Sequence, residues 1–158
     1  HMAADEPLPD DFPLRSRVRH TLIPYLNAFA GGDIVSRFCD GAELASIEKS
    51  YLDSIAESVA AHAVTFAGDS CGSVDGDCEL LRIDAKALAR EPRAIRLRVI
   101  AHALVAVGIE AGFSHVDAVD RLISQWHGQG AVALPSGHSA FRRKHVIRVC
   151  QDGLHANR

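Results

Sequence analysis

Apolar side chains recur along most of this chain at spacings of three and four, the period of a helix, and only near its end does the spacing fall to two. The longest stripe runs through Ile34, Phe38, Ala42, Ala45, Leu52, Ile55, Val59, Ala63 and Phe66, with the acids mainly elsewhere, and predicts one helix over residues 34–67. An earlier helix starts near Leu14 and ends at Gly31-Gly32, and Asp33 can cap the long one. Pro24 lies inside that earlier helix, where its ring clashes with the carbonyl four residues back, so a kink or break is expected. Residues 68–76 are turn chemistry throughout and read as an exposed loop. A short strand over 79–83 follows, and Asp84 suits the cap of a helix over 85–90. Pro92 fits the first turn of the next helix, 93–107, with Ile95, Val99 and Ala103 on its core face and Leu97, Ile100 and Leu104 widening the stripe. Ser114 and Asp117 have the spacing of a capping box opening a helix over 115–126, whose core face is Val119, Leu122, Ile123 and Trp126.

After Gly128 and Gly130 the pattern alternates, predicting short strands at 132–134, 138–142 and 146–150. The expected fold is therefore mainly α: a helical domain with one long helix and a small C-terminal antiparallel β element. Along the chain this gives a tag remnant and extended leader over 1–13, a helical domain over 14–128, a strand tail over 129–150 packed on it, and a disordered C-terminus over 151–158. His1-Met2 reads as a cloning scar.

The 158 residues and 47% hydrophobic content suit a single core. No apolar run approaches the ~20 residues of a membrane span, so no membrane role is expected and cytoplasm is the default. The net charge of −3 hides a pattern. Residues 33–80 hold ten acids against Arg37 and Lys49, whereas residues 81–148 hold eleven Lys and Arg against five acids. A weakly acidic chain can thus present basic faces to a polyanion, although both halves also read as ordinary solvated helix faces.

Three basic clusters are candidates for anion contact. Arg15, Arg17 and Arg19 stand at every second position, followed by His20. On a helix Arg15 and Arg19 share a face, where like charges repel, in a first turn already positive from its exposed N–H groups. A nearby anion would offset both penalties, and a solvated turn would tolerate them. The second cluster, Lys86, Arg90, Arg93 and Arg96, makes a stripe able to track an RNA backbone if two helices are collinear; otherwise it is a polar face. The third is Arg142, Arg143, Lys144 and Arg148 beside His138 and His145, suited either to phosphate or to discouraging strand pairing. Trp126 and Phe141 are able to stack a base, while Trp126 also has the spacing of a core residue.

Catalytic and metal motifs are missing. His62, His102, His115 and His127 lack ligand spacing on a common helix face, and no nucleophile elbow occurs. Cys39, Cys71, Cys78 and Cys150 read as thiols, with a Cys71–Cys78 disulfide as the alternative. No Gly-rich loop precedes a helix, so no triphosphate cradle is expected.

The run Arg15-x-Arg17-x-Arg19-His20-x-x-x-Pro24-x-Leu26 resembles the segment that closes the catalytic domain of tRNA(Ile)-lysidine synthases and leads into their substrate-binding domain. Residues 81–104 resemble that family's Leu-x-Leu-Asp, helix, Pro, Arg-rich helix pattern, and residues 126–149 its Leu-Pro-Gly-Gly tail of short strands. Ser16 departs from the Asn of many members, and Ser136-Gly137 replaces Gly-Gly. The family's Ser-Gly-Gly-x-Asp-Ser pyrophosphatase signature does not occur here. The resemblance implies the C-terminal, substrate-binding part of an enzyme that ligates lysine to the wobble cytidine of tRNA(Ile). It implies tRNA(Ile) and the enzyme's own N-terminal catalytic domain as partners. ATP and magnesium would serve the full-length enzyme, with no cofactor, metal or catalytic residue in this chain. It also assigns Arg15, Arg17, Arg19 and His20 to tRNA or the activated intermediate. Lys86, Arg90, Arg93, Arg96, Arg142, Arg143 and Lys144 are the candidates for RNA backbone contact. The rival expectation is a helical protein-interaction or dimerisation module, a homodimer included, with no RNA role.

Overall fold

The computed structural model describes residues 12–67 and 78–151, and the chain divides into two compact units, one up to Ser50 and one from Tyr51. The first unit opens with α1 (Leu14–Arg17), a π-helical turn (Val18–Leu22) and α2 (Ile23–Ala30). The irregularity predicted around Pro24 takes a specific form. Ile23 donates its N–H to the Val18 carbonyl five residues back, so the widened turn sits just where the proline ring would crowd an α-helical carbonyl. Gly31 ends α2 in the left-handed conformation at φ 66, and its N–H donates to the Asn27 carbonyl. Asp33 caps α3 (Ile34–Ala63) as expected, its carboxylate accepting from Val35 N–H at 3.0 Å and Ser36 N–H at 3.2 Å. The first part of the predicted stripe is not a core face: Phe38 is 69% exposed, and Ala42 and Ala45 are exposed with it.

The second unit takes the end of α3, where Ala56, Val59 and Ala63 are buried. It then holds β1 (Val64–Phe66), β2 (Cys78–Asp84), α4 (Ala85–Leu88), α5 (Arg93–Ala106), α6 (Phe113–Ser124), β3 (Val132–Leu134), β4 (His138–Arg143) and β5 (Val146–Gln151). The expectation of a mainly α fold with a small C-terminal β element is overturned. The strands form one five-stranded antiparallel sheet in the order β1-β2-β5-β4-β3. Two of them come from inside the segment expected to be helical. Val64, Thr65 and Phe66 leave the helix because they pair with Ile83, Arg82 and Leu81, exchanging helical bonds for a ladder that suits their β-branched and aromatic side chains. The centre of the sheet is β2 against β5, a pairing between distant segments that no local period encodes.

Leu81, Ile83, Ala140, Ile147 and Val149 on one sheet face are fully buried, in one core with Leu88 of α4, Val99, Ile100 and Leu104 of α5, and Val119 and Leu122 of α6. The core faces predicted for α5 and α6 are thus observed. Asp84 caps α4, accepting from Lys86 N–H at 2.8 Å and Ala87 N–H at 3.0 Å. The capping box expected at Ser114 is not formed. The helix begins after Gly112, and Asp117 serves instead as an ion-pair partner for Arg93 and Arg121, each at 2.8 Å. The Arg93 hydrogen bond, opposed by desolvation and helped by the charge of Arg121, holds the Asp117 carboxyl below its usual range.

The β3–β4 hairpin turns through Ser136 at φ 59 and Gly137 at φ 70. A Cβ on Gly137 would meet nothing within 4 Å, so Gly137→Ala tests the backbone alone. It should lower stability by about 1–2 kcal/mol in a thermal melt, the cost of a left-handed conformation for an L side chain.

Candidate nucleic-acid interface

The first predicted cluster lies wholly in the first unit. Arg15 and Arg17 sit on α1, Arg19 and His20 in the π turn, and Arg15, Arg19 and His20 are exposed. Pro13 precedes α1 without a side-chain cap, and no acidic residue occupies the first turn. The helix start is therefore both uncapped and positively charged, the condition that favours an anion. The π turn adds an exchange of hydrogen-bond register within the cluster, a distortion often met where helices bear function.

The second cluster is split by its ion pairs. Arg96 lies against Asp120 of α6 as a fork, Nε donating at 2.6 Å and Nη2 at 3.0 Å, and its Nη1 donates to the Glu91 carbonyl at 3.0 Å. All three nitrogens are thus engaged, two of them holding α5 to α6, and Asp120 is 2% exposed. Arg93 is more open but donates to Asp117 at 2.8 Å. Lys86 on the short α4 and Arg90 just after it are exposed.

The third cluster is divided by the strand itself. Neighbouring residues of β4 point to opposite sheet faces, so Arg142 and Arg143 cannot share a patch. Arg142 turns to the helix-covered side. It donates to the Leu122 carbonyl at 2.7 Å, closing the C-terminal end of α6, and to the Lys144 carbonyl at 2.8 Å. Its guanidinium also lies 5.3 Å from the ring centre of Trp126, which is partly buried against the core. Arg143 faces outward over Phe141 at 5.6 Å, and Lys144 stands at the tip of the two-residue β4–β5 turn with φ 56. His145 is exposed beside it, and His138 Nδ1 lies 2.8 Å from the Pro135 carbonyl.

One functional candidate escaped the reading by clusters. Arg82 lies between Leu81 and Ile83 on β2, directly opposite Arg148 of β5. The signal was present as a lone arginine alternating with two core residues. It carries no weight until β2 is known to lie beside β5.

Among the described residues no group of three His, Cys, Asp or Glu side chains gathers to hold a metal ion. His102 Nε2 stands 3.7 Å from Asp53, and His62 is exposed. Cys39 is an exposed thiol and Cys150 a buried one, while the alternative pairing of Cys71 with Cys78 falls outside the described residues. The expectations for residues 1–11, for the loop over 68–76 and for residues 152–158 also fall outside them. No helix among the described residues is long and apolar enough to cross a membrane.

Comparison with known proteins places this geometry. Residues 83–155, which include α4 to α6 and β3 to β5, match the family model described as TilS substrate binding domain. The chain is 48% identical over 175 residues to a tRNA(Ile)-lysidine synthase of Bifidobacterium longum, covering 99% of this chain and 45% of that protein. It is 51% identical over 155 residues to that of Bifidobacterium animalis subsp. lactis, covering 96% of this chain and 41% of the relative. The synthase of Thermobifida fusca is 33% identical over 141 residues, with 87% and 40% covered. The chain spans less than half the length of the curated relatives it matches. It belongs to the tRNA(Ile)-lysidine synthase family and carries that family's TilS substrate binding domain.

Proposed function

We propose that this chain is the tRNA-positioning part of a cytoplasmic enzyme that ligates lysine to the wobble cytidine of tRNA(Ile) with ATP. The observation that carries the reading is the match of residues 83–155 to a substrate-binding domain, within a chain similar along nearly its whole length to named synthases. Positioning is itself a large contribution to catalysis, because holding two reactants in a productive arrangement can remove several kcal/mol of barrier. In this reading the ligation draws on ATP and magnesium. We assign both to the catalytic portion of the full-length enzyme.

Within this reading Arg15, Arg17, Arg19 and His20 meet tRNA or the activated intermediate, and Lys86 and Arg90 supply RNA backbone contacts. Arg93, Arg143 and Lys144 are available for further phosphate contact, whereas Arg96 and Arg142 act through the fold. The exposed apolar side chains of the first unit, Phe29 at 82% and Ile47 at 62% among them, favour a protein contact there. We assign that surface to the enzyme's own catalytic domain, and a homodimer is the competing occupant. Sedimentation of this chain as a dimer at micromolar concentration would favour the latter.

The test of the RNA reading is the salt dependence of tRNA binding by this chain. Its affinity should fall steeply with salt, since its contacts are phosphate contacts set in a weakly acidic chain. Lys86→Ala and Arg90→Ala together should flatten the slope of log affinity against log salt by up to ~0.9 per lost contact. A wild-type affinity that ignores salt would favour an apolar protein-interaction module instead.

A further inference from the structure

The sheet has two unlike faces. One is the core; on the other, cross-strand partners place Thr65, Arg82, Arg148 and Phe141 in a single row across β1, β2, β5 and β4. Residues opposite one another in an antiparallel ladder project to the same side. Arg143 lies two positions beyond Phe141 on that side, with its guanidinium 5.6 Å from the ring centre. The side chain of Arg82 is 56% exposed and that of Arg148 36% exposed.

Two guanidiniums directly opposite each other on paired strands repel. Glu79 moderates this by pairing with Arg82 and standing 3.6 Å from Arg148 Nε. Two carboxylates, Glu79 and the α4 cap Asp84, stand on that face against three guanidiniums, counting Arg143. Arg148 Nε is shut from solvent and has no hydrogen-bond acceptor, a rare state for a buried donor. The face is thus a positively charged row with an aromatic ring at one end. Phosphates match the guanidinium forks, and a partly exposed aromatic ring on a sheet face matches an unstacked base.

We propose that the face of the five-stranded sheet opposite the core is a platform for an unpaired stretch of RNA. Phe141 and Arg143 stack one base, and Arg82 and Arg148 hold neighbouring phosphates. The proposal rests on the reading that this chain binds RNA, and it joins Arg82 to Phe141 and to Arg143 and Arg148 of the third cluster on a face assembled across strands.

The test is equilibrium anisotropy with this 158-residue chain and two labelled probes: a twelve-nucleotide mixed-sequence single strand and a hairpin duplex of similar length. Phe141→Leu keeps an apolar residue and removes the stacking ring. It should weaken single-strand binding roughly 5- to 150-fold while leaving the salt slope unchanged. Arg82→Gln leaves Glu79 its second partner and should reduce that slope by about 0.7. Arg143→Gln should weaken the single strand and spare the duplex. Circular-dichroism melts confirm that each variant is folded. If the wild type binds RNA and none of the three changes its affinity more than twofold, the platform is overturned while the RNA reading stands. Loss of duplex binding with single-strand binding intact would overturn the stacking role. No binding of either probe by the wild type would defeat both readings.

Discussion

Asp120→Ala should cost about 3–5 kcal/mol of unfolding free energy, a larger loss than any exposed ion pair here would produce. Asp120 lies on α6 with 2% of its surface exposed, and the side chain of Arg96 on α5 is 13% exposed. Its hydrogen bond to Asp120 raises the Arg96 pKa despite the opposing effect of burial, so the guanidinium stays charged at every accessible pH. Removing the carboxylate strands that charge between two helices, with only the Glu91 carbonyl still accepting from it. Arg93 and Asp117 join the same two helices, but the Arg93 side chain is 57% exposed. Arg93→Ala should therefore cost less than about 1 kcal/mol. Replacing both buried partners, Arg96→Met with Asp120→Leu, should recover most of the loss, because the penalty comes from the unpaired charge. Denaturant melts of the four proteins decide it. A cost for Asp120→Ala no greater than that for Arg93→Ala would show that the buried pair does not hold α5 to α6.

That pair also shows what a sequence can and cannot reveal. The apolar period of α5 and α6 was legible because burial on a helix face is a local pattern: Ile95, Val99, Ala103, Val119 and Leu122 all lie in the core. The caps at Asp33 and Asp84 were legible for the same reason, since cap and recipient N–H groups lie within three residues. Arg96 was grouped with Lys86, Arg90 and Arg93 because charge and spacing say nothing of an acid on another helix. Asp120, the acid in question, lies 24 residues away. Competition from the same helix pair left the Ser114 capping box unmade.

The sheet was hidden more deeply. β2 was foreseen as a strand, but its neighbours on both sides are fixed by pairings with β1 and β5. Val64, Thr65 and Phe66 continue a helical stripe in sequence and become a strand only because Leu81–Ile83 offers a ladder. The same rearrangement changes which charges act together. Arg142 and Arg143, adjacent in sequence, part to opposite faces, while Arg82 and Arg148 become neighbours. Basic runs on strands are thus poor guides to basic surfaces. On the helical segment that opens the chain, Arg15, Arg19 and His20 all remain exposed.

In the full-length enzyme Arg19→Ala should lower the single-turnover rate of lysidine formation roughly 10- to 150-fold with little change in the thermal melt. Arg15 and Arg19 are exposed, near a helix start with no side-chain cap and no acid in its first turn. Positive charge there is unfavourable in the absence of an anion, so deleting one guanidinium should leave stability unchanged or slightly improved. The rate should respond differently. Charge-assisted hydrogen bonds to a phosphate contribute ~1.5–3 kcal/mol, and the whole of it is lost from the barrier if they are made in the transition state. The π turn at Val18–Leu22 bears on the same point, because it holds Arg19 and His20 in a register an unbroken α-helix would not give them. Arg37→Ala, which removes an exposed cation from the same unit outside any cluster, should stay within twofold of wild type. Wild-type rates for both Arg15→Ala and Arg19→Ala would reduce the cluster to a solvated helix start and leave RNA contact to the second unit alone.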